Sequence, residues 1–111
     1  MPDTINRDEL QRAIQERTVV VLEVLPPAYF EKEHLPGAKN LPLDDLDDLA
    51  PRLVADKDQA IVTYCSNTAC NNSAVAAARL RELGYHNVRK YPAGKQGWIE
   101  AGLPVEAGVQ I

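Results

Sequence analysis

The chain has 111 residues, 45% hydrophobic and 25% charged, with twelve Lys and Arg against sixteen Asp and Glu. That length predicts one domain over residues 1–111, large enough to hold a core without staples. The net charge of −4 argues against the clustered basic surface on which nucleic-acid affinity rests, so any anion site must be made locally.

Asn6-Arg7-Asp8-Glu9 has the form of a capping box, and Leu10 and Ile14 carry an apolar stripe to about Arg17, which predicts a short first helix. The β-branched run over residues 18–24 predicts a strand buried on both faces. Pro26-Pro27 stops it, and a short helix to about His34 follows. Leu35-Pro36-Gly37 is a turn, with a brief extended segment over residues 38–41. Leu43, Leu46, Leu49 and Leu53 recur at helical spacing, which predicts one or two short helices with a solvated acidic face. Asp44, Asp45, Asp47 and Asp48 are scattered by that spacing, and no calcium-loop glycine or terminal Glu follows, so no metal is expected there.

Residues 60–65 form a second buried strand. Ser73 begins a strong helix whose Ala76, Ala77, Leu80 and Leu83 share a face, and Gly84 is placed to end it. Residues 87–91 predict a third strand. A turn around Pro92-Ala93-Gly94 then leads to a last helix from Gly97 to about Ala101, and the tail from Gly102 either packs or frays. This alternation predicts an α/β domain with a mainly parallel sheet.

No stretch approaches the roughly 18 apolar residues of a membrane span, so no membrane partner is expected. Met1-Pro2-Asp3-Thr4 lacks the order of a secretory leader. Two cysteines do not make a disulfide framework, which points to the cytoplasm, where a cysteine is more often chemical than structural. Those cysteines with His34 and His86 offer no zinc-ligand spacing.

The chemistry concentrates in Cys65-Ser66-Asn67-Thr68-Ala69-Cys70-Asn71-Asn72-Ser73, between a buried strand and a helix start. Open parallel sheets place ligands at the carboxyl ends of their strands, where Cys65 falls. A loop curling from there into a helix aims backbone N–H groups inward, stabilises a thiolate and lowers its pKa. The competing reading of Cys65 is a small core hydrophobe. Cys70 is either an ordinary loop residue, a redox partner or a sulfur relay. Asn67, Asn71 and Asn72 stand in for an absent glycine by tolerating left-handed angles, or donate amide hydrogen bonds to a sulfur or oxyanion, or serve turn chemistry alone.

With the strand ending in Leu22-Glu23-Val24, His34-Leu35-Pro36-Gly37-Ala38-Lys39-Asn40-Leu41-Pro42, the segment Val62-Thr63-Tyr64-Cys65, Leu83-Gly84-Tyr85, Gly94-Lys95-Gln96-Gly97-Trp98 and Ala101-Gly102-Leu103-Pro104-Val105, nearly the whole chain resembles the single-domain rhodanese-like proteins. The resemblance implies a three-layer domain, a small mainly parallel sheet of about five strands flanked by helices on both faces. It implies a sulfurtransferase carrying sulfane sulfur as a persulfide on a loop cysteine, which matches Cys65. The partners implied are a small sulfur donor, thiosulfate or a persulfide, and a thiol or protein acceptor. No cofactor is implied.

The chain departs from the usual pattern. The loop runs eight steps from Cys65 to Ser73 rather than about six and has no glycine. Asn72 stands in the place of an arginine, and the strand ends Glu23-Val24-Leu25 where Asp-Val-Arg is usual. It is similar to a subgroup with a longer loop and a second cysteine at this spacing. Two charges that help hold an anionic donor are missing, each worth roughly 1.5–3 kcal/mol, so weaker turnover of thiosulfate is expected. Lys95 either replaces a charge by pointing at the Cys65 loop or is a solvent-exposed turn lysine. His34 is expected to order its turn through backbone hydrogen bonds, Trp98 to anchor the core, and Tyr64 to pack on the face opposite Cys65. A non-catalytic binding module or a Cys65–Cys70 redox sensor is the alternative function. Phosphatase chemistry needs an arginine six residues after the cysteine, where this chain has Asn71.

Overall fold

The computed structural model describes residues 3–108; Met1 and Pro2, which open the leader reading, and residues 109–111 lie outside the described residues. The chain order is α1 (Arg7–Glu16), β1 (Val20–Glu23), α2 (Pro27–Lys32), β2 (Lys39–Asn40), a 3-10 turn (Leu43–Asp45), α3 (Leu46–Leu53), β3 (Ile61–Tyr64), α4 (Asn72–Glu82), β4 (Val88–Lys90) and α5 (Gly94–Glu100). Both arms of the predicted capping box form: Glu9 N donates to Asn6 Oδ1 at 2.8 Å, and Asn6 N donates to Glu9 Oε1 at 3.3 Å.

The strands lie in the order β2-β1-β3-β4, and every pairing is parallel. Among the described residues the sheet has four strands where about five were expected. Thr4 makes a single parallel bridge to Lys90, and the N-cap of α1 follows two residues later, which leaves no length for a ladder.

Period-two alternation along the strands sorts their side chains into two cores. Leu22, Val24, Ile61 and Val88 face Leu46, Ala50, Ala76, Ala77 and Leu80 on α3 and α4. Val21, Val62 and Tyr64 face Leu10, Phe30 and Trp98 on α1, α2 and α5. The alanines of α4 let that helix lie close to the sheet. Trp98 is 1% exposed and its Nε1 donates to Pro104 O at 2.8 Å, and Gly108 N donates to Glu31 O at 2.8 Å, so the described part of the tail packs.

The last helix begins at Gly94, three residues before the predicted Gly97. Its first N–H groups are satisfied by distant carbonyls, Lys95 N by Cys65 O and Gln96 N by Ser66 O, both at 2.8 Å. Such tertiary stabilisation of a first turn leaves no local sequence signal. Among the described residues, no helix is long and apolar enough to cross a membrane.

Candidate active site

Cys65 follows the last residue of β3 and is 2% exposed. Alternation turns Tyr64 towards the α1, α2 and α5 face and Cys65 towards α4, where Ser73 Oγ lies 3.8 Å from Cys65 Sγ. The hydroxyl of Ser73 can donate to a charged sulfur there. Thr63 Oγ1 donates to Ser73 O at 2.9 Å and ties the first turn of α4 to the strand that carries the cysteine. Among the described residues no side-chain hydrogen bond caps that turn, and a helix start carries partial positive charge.

Between these ends the loop folds back. Ala69 N donates to Asn67 Oδ1 at 3.0 Å, and Cys70 N donates to Asn67 O at 3.1 Å. The fold-back brings Cys70 Cα to 6.3 Å from Cys65 Cα, and the two sulfurs are joined as a disulfide. Ser66 and Asn67 are half-buried, Thr68 and Ala69 exposed, Cys70 half-buried and Asn71 exposed.

The asparagines do not adopt left-handed angles: among the described residues Arg17 is the sole non-glycine with positive φ. Asn67 serves the turn through its own side chain, which shapes the loop without a glycine. Asn72, in the arginine's place, spends its amide on Val24 O at 3.2 Å, bracing α4 against the end of β1.

Lys95 meets neither expectation. Its side chain is 10% exposed and turns under the loop, with Nζ 3.1 Å from Glu23 Oε1. The ammonium also donates to Tyr29 O at 3.0 Å and Glu33 O at 2.6 Å, the carbonyls at the end of α2. Glu23 is fully buried and accepts a 2.7 Å hydrogen bond from Tyr64 Oη, which itself accepts from Leu35 N at 3.1 Å. Burial, then the Glu23 carboxylate, push the Tyr64 phenol far above its ordinary range, so it stays a donor. Glu23 Oε2 has no hydrogen-bond partner among the described residues.

Sequence reasoning missed this buried pair, although a glutamate inside a strand read as buried on both faces was a usable signal: such a charge requires a partner. It also missed Gly94 as a contact. A Cβ on Gly94 would lie 2.7 Å from Cys65 O and 2.9 Å from both Asn67 N and Ser66 C. The absent side chain lets α5 abut the loop.

His34 is buried and structural in its contacts. Its Nδ1 lies 2.7 Å from Phe30 O, its ring stacks on Phe30, and its backbone exchanges two 2.8 Å hydrogen bonds with Glu106. Asp47 is held by two hydrogen bonds from Arg79, at 2.8 and 2.7 Å, which lower its carboxyl below the ordinary value. Beside the loop, a shallow cleft is bounded by Glu33, Ser66, Asn67, Gln96, Ile99 and Glu100.

A buried cysteine at a strand's carboxyl end, in a loop closed by a helix start, on a small parallel sheet, defines a cysteine-centred α/β domain. The Rhodanese-like domain family model matches residues 6–101, and the chain belongs to that family. It is 30% identical to a sulfurtransferase of Allochromatium vinosum, over 96% of this chain and 97% of that one. It is 34% identical to the HTH-type transcriptional regulator Rv0324 of Mycobacterium tuberculosis, over 98% of this chain and 47% of the relative. The chain thus spans about half the length of that relative and of an uncharacterised Synechocystis protein, 47% and 54%. The crystal structure of a thiosulfate sulfurtransferase from Pseudomonas aeruginosa superposes with a TM-score of 0.83 at 30% identity, covering 96% of this chain and 20% of that one. These sulfurtransferase homologues support a sulfur-transfer role at the level of the family.

Proposed function

We propose that the chain is a sulfurtransferase working as one rhodanese-like unit in the cytoplasm, with Cys65 as its nucleophile. The observation that carries this reading is the placement of Cys65 Sγ beside Ser73 Oγ at the uncapped start of α4. In the reduced chain the Cys65 thiolate attacks the outer sulfur of a small donor such as thiosulfate. The donor's S–S bond breaks, sulfite leaves with the bonding pair, and Cys65 carries a persulfide. The first turn of α4 and the Ser73 hydroxyl stabilise the charged sulfur. A thiolate acceptor, small or protein-borne, then attacks the outer sulfur and returns Cys65 as thiolate.

Incubating the reduced protein with thiosulfate and weighing it by intact-protein mass spectrometry tests the step. The expected result is that Cys70→Ser, which keeps whatever Cys65 takes up, gains one sulfur atom, and that Cys65→Ser gains none. Loading that survives Cys65→Ser would move the nucleophile elsewhere.

The joined sulfurs of Cys65 and Cys70 favour a second reading, a redox-sensing binding module, and the likeness to a regulator from M. tuberculosis supports it. In that case mild oxidant forms the disulfide while no donor loads the reduced chain.

A further inference from the structure

We propose that Cys70 is a resolving thiol that discharges the Cys65 persulfide from within the chain, releasing hydrosulfide; this rests on the reading of Cys65 as the sulfur carrier. The geometry supplies the reach. Cys70 Sγ bonds to Cys65 Sγ with the Cα atoms 6.3 Å apart, so it can reach the inner sulfur of a persulfide on Cys65. The turn holds it there: Cys70 N donates to Asn67 O at 3.1 Å and Ala69 N to Asn67 Oδ1 at 3.0 Å. The carrier end is equally fixed, since Cys65 O and Ser66 O accept from Lys95 N and Gln96 N.

Burial decides which thiol attacks that inner sulfur. Cys65 is 2% exposed, so an external thiol meets the outer sulfur first and takes it as in simple transfer. Cys70 is the thiol placed on the protein side, and being tethered it acts with the advantage of a pre-oriented intramolecular nucleophile.

The step balances without an added oxidant. Cys70 thiolate attacks Cys65 Sγ, the bond between Cys65 Sγ and the outer sulfur breaks, and that sulfur leaves with the pair. It takes up the proton that Cys70 gave up and departs as hydrosulfide. Sulfane sulfur is reduced to sulfide while two cysteine sulfurs are oxidised to the Cys65–Cys70 disulfide. A dithiol reductant then opens that disulfide by exchange and leaves as its own disulfide, restoring both thiols. The disulfide in the structure is therefore one state of the cycle, and the chain has two exits for its sulfur: transfer to an acceptor, or release.

The experiment is a single turnover under argon with no small thiol present. Fully reduced, desalted wild type, Cys70→Ser and Cys70→Ala each receive thiosulfate, with hydrosulfide followed by a sulfide-selective electrode and the chain by intact mass. Expected for wild type is one hydrosulfide per chain and a final mass two hydrogens below the reduced protein. Both Cys70 variants should keep the added sulfur atom and release hydrosulfide at least about tenfold more slowly. If the adduct persists equally long in wild type and in both variants, Cys70 does not resolve it and Cys65 remains the carrier. If neither variant gains a sulfur atom, the sulfurtransferase reading fails and this one with it.

Discussion

Replacing Lys95 by methionine lowers the folding stability by about 3–5 kcal/mol, the cost of leaving a buried charge without its partner. Methionine keeps the length and apolar body of the side chain, so the loss reports the ammonium rather than a cavity. Three acceptors lose a donor together: Glu23 Oε1 and the Tyr29 and Glu33 carbonyls. The Glu23 carboxylate keeps a single hydrogen bond among the described residues, from Tyr64 Oη, and none of the residue's surface reaches water. Adding Glu23→Gln to Lys95→Met removes the stranded charge and should restore part of the loss, so the two substitutions are strongly non-additive. Urea unfolding of the four proteins, with unchanged m-values, measures this. A loss under about 1 kcal/mol for the single variant would class the pair with exposed ion pairs and sink the account.

Gly94→Ala is the second large effect, expected at about 2–5 kcal/mol with slower sulfur loading. Two costs combine. Gly94 has φ +68°, where an L side chain is strained by roughly 1–2 kcal/mol. The new methyl would also meet the backbone of Cys65, Ser66 and Asn67 at 2.7–2.9 Å, and overpacking of that kind costs about 1–3 kcal/mol more. Gly102→Ala separates them, because Gly102 has φ +77° with nothing within 4 Å of its Cβ position. The comparison needs urea unfolding for stability and, with Cys70→Ser present in every chain so that the added sulfur stays on Cys65, intact mass after thiosulfate for loading. If Gly94→Ala proves no costlier than Gly102→Ala and loads sulfur at the wild-type rate, α5 does not hold the loop through close approach.

The parts of this fold visible from sequence were those with local causes. A capping box, a β-branched run and an alanine-faced helix each encode their own element, and the strand-to-loop position of Cys65 followed from the parallel sheet. Long-range partners were opaque. Lys95 and Glu23 lie 72 positions apart in the chain, and neither reading of Lys95 included a buried carboxylate beneath the loop. The early start of α5 has the same origin, since carbonyls of Cys65 and Ser66 hold its first turn. The loop's route has a local cause, the Asn67 side chain accepting from Ala69 N two residues on, and turn chemistry was among the readings of that asparagine.

The cysteine pair closes a ring of only a few residues. In the chain-entropy account, a cross-link stabilises by restricting the unfolded chain, and so short a closure restricts it by only about 2 kcal/mol. Cys65 is buried, yet neither it nor Cys70 belongs to the two clusters that hold the helices on the sheet. The ring is therefore a small contribution to the stability of the fold, which rests on those clusters rather than on the cross-link.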